Sequence, residues 1–349
     1  MYRRATIADV ARLAGVSRTS VSRVLNQRGE IADATRLRVL AAIQQLDYHP
    51  SEVARSLTSQ QTHTIGLIVY DIRNPGIAES VFSSQVELAR RGYRVILASM
   101  GGQLEAGADC LSLLEDRRVD GVITNALIDP TNASECPPNL PNLDKDGAHC
   151  YDPRTGRTSL VKFDEIHGGE QAGRHLLDLG HRRIGIVRGP SWWGAVDDRL
   201  HGYERALVDH GLSIDDTVIE AADVWTAPAG YDATMRILDR DANVTAIWAL
   251  YDVLAVGVIR ALADRGKRVP EDVAVVGYND ETFSSYMVPR LTSVRADCSV
   301  IGQIAAELML ELLDDEAAPS REVIVPTEIV IRDSSRRCLS NVLDTLGAV

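Results

Sequence analysis

Short apolar stripes at helical spacing mark the first fifty residues of the chain. Behind a near capping box of Thr6 with Asp9, apolar residues from Ile7 to Ala14 recur at positions i, i+3, i+4 and i+7. Gly15 can then take the left-handed conformation that ends a helix. This pattern predicts a short amphipathic helix with a single apolar face.

A second helix is predicted from Arg18 to about Asn26, with Ser17 as its N-cap. Its valines and leucine share the inward face. The opposite, solvated face carries donors suited to the edges of DNA bases, namely Arg18, Thr19, Ser22 and Arg23. Polar residues crowded at the start of a short second helix are typical of a helix-turn-helix reader.

A third helix, predicted over residues 33–46, completes a small all-α unit. Val39, Ile43 and Leu46 lie at helical spacing and can close a three-helix core. A solvated arginine face also occurs on ordinary helical bundles. The short second helix and the scarcity of acids favour DNA binding instead.

From Thr64 onward, apolar runs alternate with amphipathic stretches. The predicted strands are TIGLIVY, RVILAS and GVIT, then RRIGIV, VIEA, TAIWAL and VAVVGY. The predicted helices end at Gly92 and Arg117 in the first series and cover 199–210, 231–240 and 253–265 in the second. Because strands alternate with helices, the two series predict two α/β lobes, each a doubly wound parallel sheet.

Two segments depart from this alternation. Residues 129–156 are rich in Pro, Asn and Asp and are predicted to be irregular. The tail after Arg332 offers Leu339, Val342 and Leu346 at helical spacing, but one heptad is too short for a tetramer-forming coiled coil. We therefore expect a dimer without a tetramerising tail.

Charge is distributed unevenly along the 349 residues. The net charge is −12, yet residues 1–61 carry nine arginines against five acids, a net of +4. The remainder holds 28 basic and 44 acidic residues, a net of −16. Because DNA phosphates repel such a body, only the N-terminal end is expected to contact DNA.

Composition bounds the class of protein. Apolar residues make up 45% and charged residues 25%, as in a globular protein of two or three domains. No run of 18 apolar residues and no apolar signal-peptide core is present, so we expect a soluble, cytoplasmic protein with no membrane partner. The five cysteines are scattered and never spaced as metal-ligand pairs, so reduced thiols, no metal and no cofactor are expected.

Candidate ligand-binding residues follow the predicted strands, where open α/β sheets bind their ligands. The candidates are Asp71, Asn74, Asn125, Trp193, Trp225, Tyr251, Asn279 and Asp280, joined by Arg199. A single tryptophan more often fills a core, but three of the four tryptophans follow strands here. Rings that stack and polar groups that bond hydroxyls suit a sugar.

Two other protein classes share the α/β pattern. Doubly wound folds host many enzymes. Phosphate-binding glycine motifs and a GxSxG motif are absent, and the histidines lack metal spacing, so no catalytic residue is predicted. A transport binding protein would share the two lobes but needs an export signal where this chain has its arginine-rich helices.

The N-terminal sequence also resembles a known family. TIADVARLAGVSRTSVSRVLN, followed by TRLRVLAAIQQLDYHPSEVARSL, is similar to the signature of the LacI/GalR repressor family, and weaker similarity continues to about residue 332. The resemblance implies a sequence-specific transcriptional regulator, expected to be a repressor, that binds a palindromic operator as a homodimer. It also implies a periplasmic-binding-protein-like sensor for a small-molecule effector.

The resemblance assigns roles in DNA binding. It places base contacts at Arg18, Thr19 and Arg23, and the same surface includes Thr6, Ser17, Ser22 and Asn26. Residues 51–57 would form a hinge helix that orders on the operator. Leu57 would wedge into the minor groove, with Ala54 and Arg55 beside it. Ser51 and Ala32 replace a common asparagine and a common serine cap.

The resemblance also bears on the pocket. Arg199 matches a ligand-contacting arginine, and family pocket positions include Asn125, Trp225 and Asn279. This chain departs in reading NPGI where relatives often have NPFF, in Tyr251 where asparagine is common, and in Asn279 where an acid is common. We expect a sugar effector, with a non-sugar metabolite such as a nucleobase as the alternative; inducer and corepressor both stay open.

Four segments are expected along the chain: a helix-turn-helix domain over 1–50, a hinge helix and linker over 51–63, a two-lobed effector-binding and dimerisation domain over 64–332, and a C-terminal tail over 333–349. Effector binding would close the lobes and change the spacing of the hinge helices.

Overall fold

The chain folds into two compact units, Met1–Thr62 and His63–Val349. The computed structural model describes residues 5–25, 31–48, 61–125, 147–214 and 218–336. Among the predicted DNA-binding residues, Asn26, Ala54, Arg55 and Leu57 lie outside these ranges. The predicted apolar tail residues Leu339, Val342 and Leu346 do so too.

The first unit is a three-helix bundle of α1 (Ile7–Ala14), α2 (Arg18–Leu25) and α3 (Asp33–Gln45). Its core is built on fully buried valines, one from each helix: Val10, Val21 and Val39. The three predicted helices are thus confirmed. Tyr48, which the apolar pattern did not assign to the core, is also buried there.

Local chemistry fixes the start and end of α1. The Asp9 N–H donates to the Thr6 hydroxyl at 3.4 Å, and the Thr6 N–H donates to the Asp9 carboxylate at 3.0 Å. This reciprocal pair is the predicted capping box. Gly15 ends the helix with φ of 64°, a left-handed conformation that costs glycine little. At the start of α3, Ala32 provides no side-chain cap.

The second unit carries twelve strands and seven helices among its described residues. Its elements up to the first crossing between sheets are β1 (Thr64–Val69), α4 (Pro75–Arg90), β2 (Arg94–Ser99), α5 (Gly107–Asp116), β3 (Gly121–Thr124), β4 (Ala148–Asp152) and β5 (Arg157–Phe163). The following elements are α6 (Glu165–Asp178), β6 (Ile184–Arg188), α7 (Gly194–Asp209), β7 (Ile219–Ala221), α8 (Ala227–Arg240), β8 (Ala246–Ala249), α9 (Asp252–Asp264), β9 (Ala274–Asn279), β10 (Thr292–Arg295), α10 (Cys298–Asp314), β11 (Glu322–Val325) and β12 (Glu328–Val330).

Lobe 1 is built on a six-stranded sheet of order β11-β5-β4-β3-β1-β2. The pairs around β1 are parallel, whereas β4 runs antiparallel to both β3 and β5. Helix α10 packs against α4 and β4. Leu67, Ile123 and Met309 therefore share one core, although Met309 lies far along the chain from the two strand residues.

The prediction of an irregular segment over residues 129–156 is wrong for Ala148–Asp152, which forms the fully buried strand β4. Its polar residues concealed the strand in the sequence. Asp152 accepts hydrogen bonds from the Arg154 Nε and the Thr155 hydroxyl at 3.1 and 3.0 Å, so a buried carboxylate is satisfied. Residues 126–146 lie outside the described ranges.

Lobe 2 is built on a six-stranded sheet of order β12-β10-β9-β8-β6-β7, parallel except for β12. Trp248 and Tyr278 are the largest fully buried side chains of its core. Two helices begin earlier than predicted, at Gly194 and Ala227. In α8 the cause is Thr226, whose hydroxyl accepts from the third helical N–H. In the described parts of the chain, no helix is both long and apolar enough to cross a membrane.

The chain crosses between the lobes three times, from β5 to α6, from β10 to α10 and from β11 to β12. The pattern of two consecutive series did not predict that α10 and β11 return to lobe 1. The first crossing places Phe163 and Glu165 at the junction of the lobes. The second crossing places Cys298 there.

Helices α6 and α7 pack with their backbones in contact. A Cβ on Gly169 would lie 2.0 Å from the Arg199 carbonyl oxygen, and a Cβ on Gly202 would lie 1.9 Å from the Ile166 carbonyl oxygen. Only glycine fits at either position. The close pairing holds Glu165 and Arg199, one from each helix, side by side at the inner edge of lobe 2.

Candidate ligand pocket and nucleic-acid interface

A cleft between the two lobes encloses about 870 Å³, part of it open to solvent. Seven of the nine predicted ligand-binding side chains line it: Asn74, Asn125, Trp193, Arg199, Trp225, Tyr251 and Asn279. They come from both lobes, because the carboxyl ends of both sheets face the cleft. The structure thus brings most of the predicted ligand-binding residues to one place.

Two predicted pocket residues, Asp71 and Asp280, do not line this cleft. Asp71 forms a bidentate pair with Arg73, with an Nη2–Oδ2 distance of 2.7 Å, and hydrogen bonding from Arg73 lowers the Asp71 pKa. Asp280 pairs with Arg295 and Arg332 at 2.9 and 2.6 Å. Both carboxylates are held by arginines of their own lobe instead of facing the cavity.

Arg199 lies at the floor of the cleft, and all three nitrogens of its guanidinium group donate hydrogen bonds to protein atoms. Its Nε and Nη2 donate to the two carboxylate oxygens of Glu165 at 2.8 and 3.0 Å, and Nη1 donates to the Leu250 carbonyl oxygen. The guanidinium also stacks on Tyr278, 3.7 Å from the ring centroid. Arg199 and Glu165 are only 7% and 9% exposed. The positive charge of Arg199 is therefore neutralised by a protein carboxylate.

Aromatic rings form one wall of the cleft. Trp225 meets Trp193 and Tyr251 edge to face, with centroid distances of 6.1 and 5.5 Å. At the mouth, Tyr70 of lobe 1 lies 4.6 Å from Trp192 of lobe 2. Such rings present flat apolar faces and N–H or O–H groups at their edges. The fourth tryptophan, Trp248, belongs to the core.

The amides of the pocket already have protein partners. Asn125 Nδ2 donates to the Ser80 hydroxyl at 2.9 Å. Asn74 Oδ1 caps α4 by accepting from the Ile77 N–H at 3.2 Å, and it also lies 2.8 Å from the Tyr251 hydroxyl. These bonds fix the orientation of both amides before any ligand binds.

The loop after β9 is held by a buried carboxylate. Asp252 Oδ2 accepts from the Glu281 N–H and the Ser284 hydroxyl at 2.8 and 2.6 Å, and Oδ1 accepts from the Ser293 hydroxyl at 2.7 Å. Burial raises the pKa of Asp252 to about 7 despite these bonds. The same loop begins at Asn279, which has φ of 96°, a strained conformation for a residue with a side chain.

Several pocket residues were not predicted from the sequence. They include Lys162, Phe163, Glu165, Asp198 and Cys298. Lys162 pairs with Glu322 at 2.8 Å. Asp198 is half-buried, and no described residue gives it a hydrogen bond or an ion pair. Only Asp198, which precedes Arg199 in α7, carried a signal that could have revealed it.

The first unit presents a cationic face on α2. Ser17, Arg18, Thr19 and Arg23 are exposed and Ser22 is half-buried. The Ser17 hydroxyl accepts from the Ser20 N–H at 3.1 Å, as expected for an N-cap. Neither Arg18 nor Arg23 forms an ion pair with any described residue, and α2 has no acid in its first turn. Thr6 lies at the start of α1 and is also exposed.

The chain matches two described families. Residues 6–51 match "Bacterial regulatory proteins, lacI family", and residues 174–335 match "Periplasmic binding protein-like domain". The first match spans all three helices of the bundle. The second spans most of lobe 2 and the returns to lobe 1.

Two relatives are similar over nearly their whole length. The HTH-type transcriptional regulator CelR of Thermobifida fusca is 34% identical over 343 residues, covering 95% of this chain and 98% of CelR. The HTH-type transcriptional repressor PurR of Photobacterium profundum is 34% identical over 336 residues, covering 95% of this chain and 98% of PurR.

Solved structures give the same result. A CelR–cellobiose complex superposes with a TM-score of 0.67 at 31% identity, over 95% of this chain and 100% of the other. A lac repressor dimer bound to operator and the anti-inducer ONPF superposes with a TM-score of 0.82 at 27% identity, over 96% and 100%. The similarity therefore extends over both units of the chain.

Proposed function

The chain belongs to the lacI family of bacterial regulatory proteins, and from that membership we propose that it is a homodimeric repressor that releases or grips a palindromic operator in response to a small-molecule effector. The observation that carries the proposal is the meeting of seven predicted ligand-binding side chains in one interlobe cleft, in a chain that also has a cationic helix-turn-helix unit.

Operator reading is assigned to the exposed face of α2. Arg18 can form a bidentate contact with guanine O6 and N7 in the major groove, and Thr19 and Arg23 lie on the same face. Thr6, Ser17 and Ser22 extend this surface, and the family resemblance assigns Asn26, which lies outside the described residues, to the same role. Leu57, with Ala54 and Arg55, is proposed to open the minor groove between the two half-sites.

Homodimer formation is supported by apolar residues left exposed on lobe 1. Phe82 and Val86 on α4 are 62% and 37% exposed, Leu97 on β2 is 42% exposed and Leu113 on α5 is 46% exposed. The similar lac repressor structure is a dimer on its operator. We infer that a second copy covers these side chains, and a homodimer supplies two α2 helices, one for each half of a symmetric site.

The effector is proposed to be an uncharged sugar. Edge-to-face tryptophans can stack on the apolar faces of a sugar ring, and the half-buried Asp198 carboxylate can accept from hydroxyls. Because Glu165 already neutralises Arg199, the floor of the cleft offers no free cation to a phosphate or a carboxylate. The similar CelR structure contains cellobiose.

A nucleobase is the second candidate effector, since a flat heterocycle could occupy the same aromatic wall. The two classes differ in their demands, because a nucleobase needs in-plane hydrogen bonds whereas a sugar needs bonds on several sides of its ring.

Control of DNA binding follows from linkage between the two sites. An effector that binds the closed cleft better in one DNA-binding state than in the other shifts the population toward that state. Operator DNA then changes effector affinity by the same factor. An inducer would bind more weakly to the operator complex and a corepressor more tightly.

The proposal is tested by selecting DNA from a random pool with the purified full-length protein and sequencing the bound fraction. We expect a symmetric site. Cellobiose, ribose and hypoxanthine are then added to the complex, and a change in operator affinity with one of them identifies the class of effector. Removal of residues 1–60 serves as the control, since it should abolish specific DNA retention. Equal binding of random and selected DNA would overturn the proposal.

A further inference from the structure

We propose that Tyr251 is an interlobe latch, whose phenol relays a hydrogen bond from Glu281 in lobe 2 to Asn74 in lobe 1 and so holds the cleft shut through protein atoms. The effect of the latch on ligand binding rests on the proposed function. Its hydrogen bonds do not, because they join residues of the protein alone.

The Tyr251 hydroxyl lies between two acceptor groups on different lobes. It is 2.8 Å from Asn74 Oδ1 and 3.0 Å from Glu281 Oε1. Tyr251 is only 3% exposed, so water does not compete for these contacts. Together these two contacts join Asn74, at the start of α4 in lobe 1, to Tyr251 and Glu281, which follow strands of lobe 2.

Counting protons shows when the bridge is complete. Asn74 presents its oxygen to Tyr251, because the same Oδ1 accepts from the Ile77 N–H. The phenol carries a single proton and can donate it to Asn74 or to Glu281, not to both. Both contacts are favourable only if Glu281 carries a proton of its own and donates it to the Tyr251 oxygen.

The surroundings of Glu281 make it easier to protonate than a carboxyl group in water. Burial raises the pKa of Glu281, and the nearby carboxylates of Glu79 and Asp280 raise it further, while bonds to Tyr251 and Asn279 act in the opposite direction. The other titratable groups that face it are Asp252 of α9 and Cys298 of α10. Burial also raises the pKa of the Tyr251 hydroxyl, while a backbone hydrogen bond from Gly76 of lobe 1 acts in the opposite direction. The phenol therefore stays protonated and remains a donor.

Gly76 makes the latch sterically possible. A Cβ at this position would lie 2.9 Å from Cys298 Sγ, 3.1 Å from Asn279 Nδ2 and 3.2 Å from Glu281 Oε1. A larger side chain on lobe 1 would push against the Glu281 carboxylate. The missing side chain of Gly76 thus leaves the space across which Tyr251 and Glu281 reach lobe 1.

Loss of the Glu281 proton breaks the relay. The phenolic proton then turns to the ionised carboxylate, and the Tyr251 oxygen faces Asn74 Oδ1 lone pair to lone pair. One neutral hydrogen bond of this kind shifts an equilibrium about two- to tenfold. The closed cleft should therefore be favoured at low pH and should lose about that factor as Glu281 ionises.

The test compares cleft opening in the full-length protein without DNA or effector. Acrylamide quenching of tryptophan fluorescence reports opening, because Trp192, Trp193 and Trp225 line the cleft or its mouth, whereas Trp248 is fully buried. Tyr251→Phe keeps the ring and removes the relay. We expect stronger quenching and a larger radius of gyration in solution scattering. Equal quenching in the variant and the parent protein would overturn the latch.

Tyr231→Phe is the matched control. It removes a phenol that donates to Asp264 at 3.2 Å within lobe 2, so it should leave quenching unchanged. If Tyr231→Phe increased quenching as much as Tyr251→Phe, the effect would be general destabilisation and the latch would be rejected. Thermal unfolding of each variant checks that the fold is intact.

Glu281→Gln isolates the proton. A glutamine amide can donate to the Tyr251 oxygen at every pH, so quenching should stay low from pH 5 to pH 8.5, whereas in the parent protein it should rise with pH. In Tyr251→Phe the pH dependence should also vanish. A pH profile that Glu281→Gln leaves unchanged would assign the titration to another group, such as Asp252, and would overturn the relay. Because no DNA is present, this result is independent of operator binding.

Discussion

Arg199 and Glu165 share two hydrogen bonds at the floor of the cleft, with Nε–Oε2 and Nη2–Oε1 distances of 2.8 and 3.0 Å. The two residues come from α7 and α6, which pack so closely that glycine is required at Gly169 and Gly202. The ion pair therefore moves with lobe 2 as one body. In its proposed ligand-binding role, Arg199 would meet a ligand as part of a neutral pair and not as a free cation.

Arg199→Ala should abolish the response of operator binding to effector while DNA binding itself is retained. The substitution removes a pocket-lining side chain and leaves the Glu165 carboxylate buried without its partner, which should destabilise the protein by about 3–5 kcal/mol. Operator titrations with and without effector measure the response, and thermal unfolding measures the loss of stability.

The double variant Arg199→Ala with Glu165→Gln separates the two effects. Removing the stranded charge should recover much of the stability but none of the effector response. An effector response equal to that of the parent protein in either variant would discard Arg199 as a ligand-binding residue.

Asp252→Asn should change how stability depends on pH. Burial raises the pKa of Asp252 from 3.8 to about 7 in the folded protein, so the stabilising contribution is fully present below pH 3.8 and is lost as pH rises through about 7. The loss is on the order of 4 kcal/mol. The free energy of unfolding of the parent protein, measured in urea at pH 5 and pH 8, should fall by more than that of the variant. Parallel profiles in the two proteins would contradict the assignment.

Arg18→Ala should cost about 1–3 kcal/mol of operator affinity and relax the preference for one base pair in each half-site. The reason is the bidentate contact of a guanidinium with guanine, which a single positive charge does not reproduce. Fluorescence anisotropy at fixed salt, with operators substituted one base pair at a time, measures both effects.

Arg268→Ala is the matched control for Arg18→Ala. It also removes one surface arginine, but this residue pairs with Asp272 in the sensor unit and Nη2–Oδ1 is 2.9 Å. Operator affinity and base preference should stay unchanged. A selectivity profile of Arg18→Ala identical to that of Arg268→Ala would exclude a base contact by Arg18.

Leu57→Ala should lower operator affinity and leave effector affinity unchanged. Leu57 lies outside the described residues, so the prediction rests on the family resemblance and on the physics of an apolar wedge that unstacks a base step. Operator titration and effector titration on the same preparation test it. Unaltered operator binding would remove the wedge role.

The sequence predicted most of the fold where its apolar patterns are clear. Strands β1 and β3 are almost entirely buried, and α1 is framed by Thr6 and Gly15. Strand β4 escaped prediction because His149 and Asp152 are buried polar residues whose partners come from other positions. The return of α10 to lobe 1 also escaped, since apolar periodicity does not show which sheet a helix covers.

The sequence also predicted most, but not all, of the residues that line the candidate pocket. Strand-end residues such as Asn74 and Asn279 reach the cleft because parallel strands present their carboxyl ends together. Asp71 failed the same rule because Arg73, two residues away, captures its carboxylate. Phe163 ends strand β5 and Glu165 follows two residues later, so both obey the same rule, but they were missed because β5 was not among the predicted strands.

The three crossings between the lobes restrict how the lobes can move relative to each other. Bodies joined by one flexible link could tumble into many arrangements, whereas three neighbouring links leave little more than a single bending coordinate. Ligands of different shape that enter the cleft would therefore all displace the lobes along that one coordinate. In the proposed function, a metabolite would therefore change how far the lobes bend, while the path of the chain would set the direction of the bend.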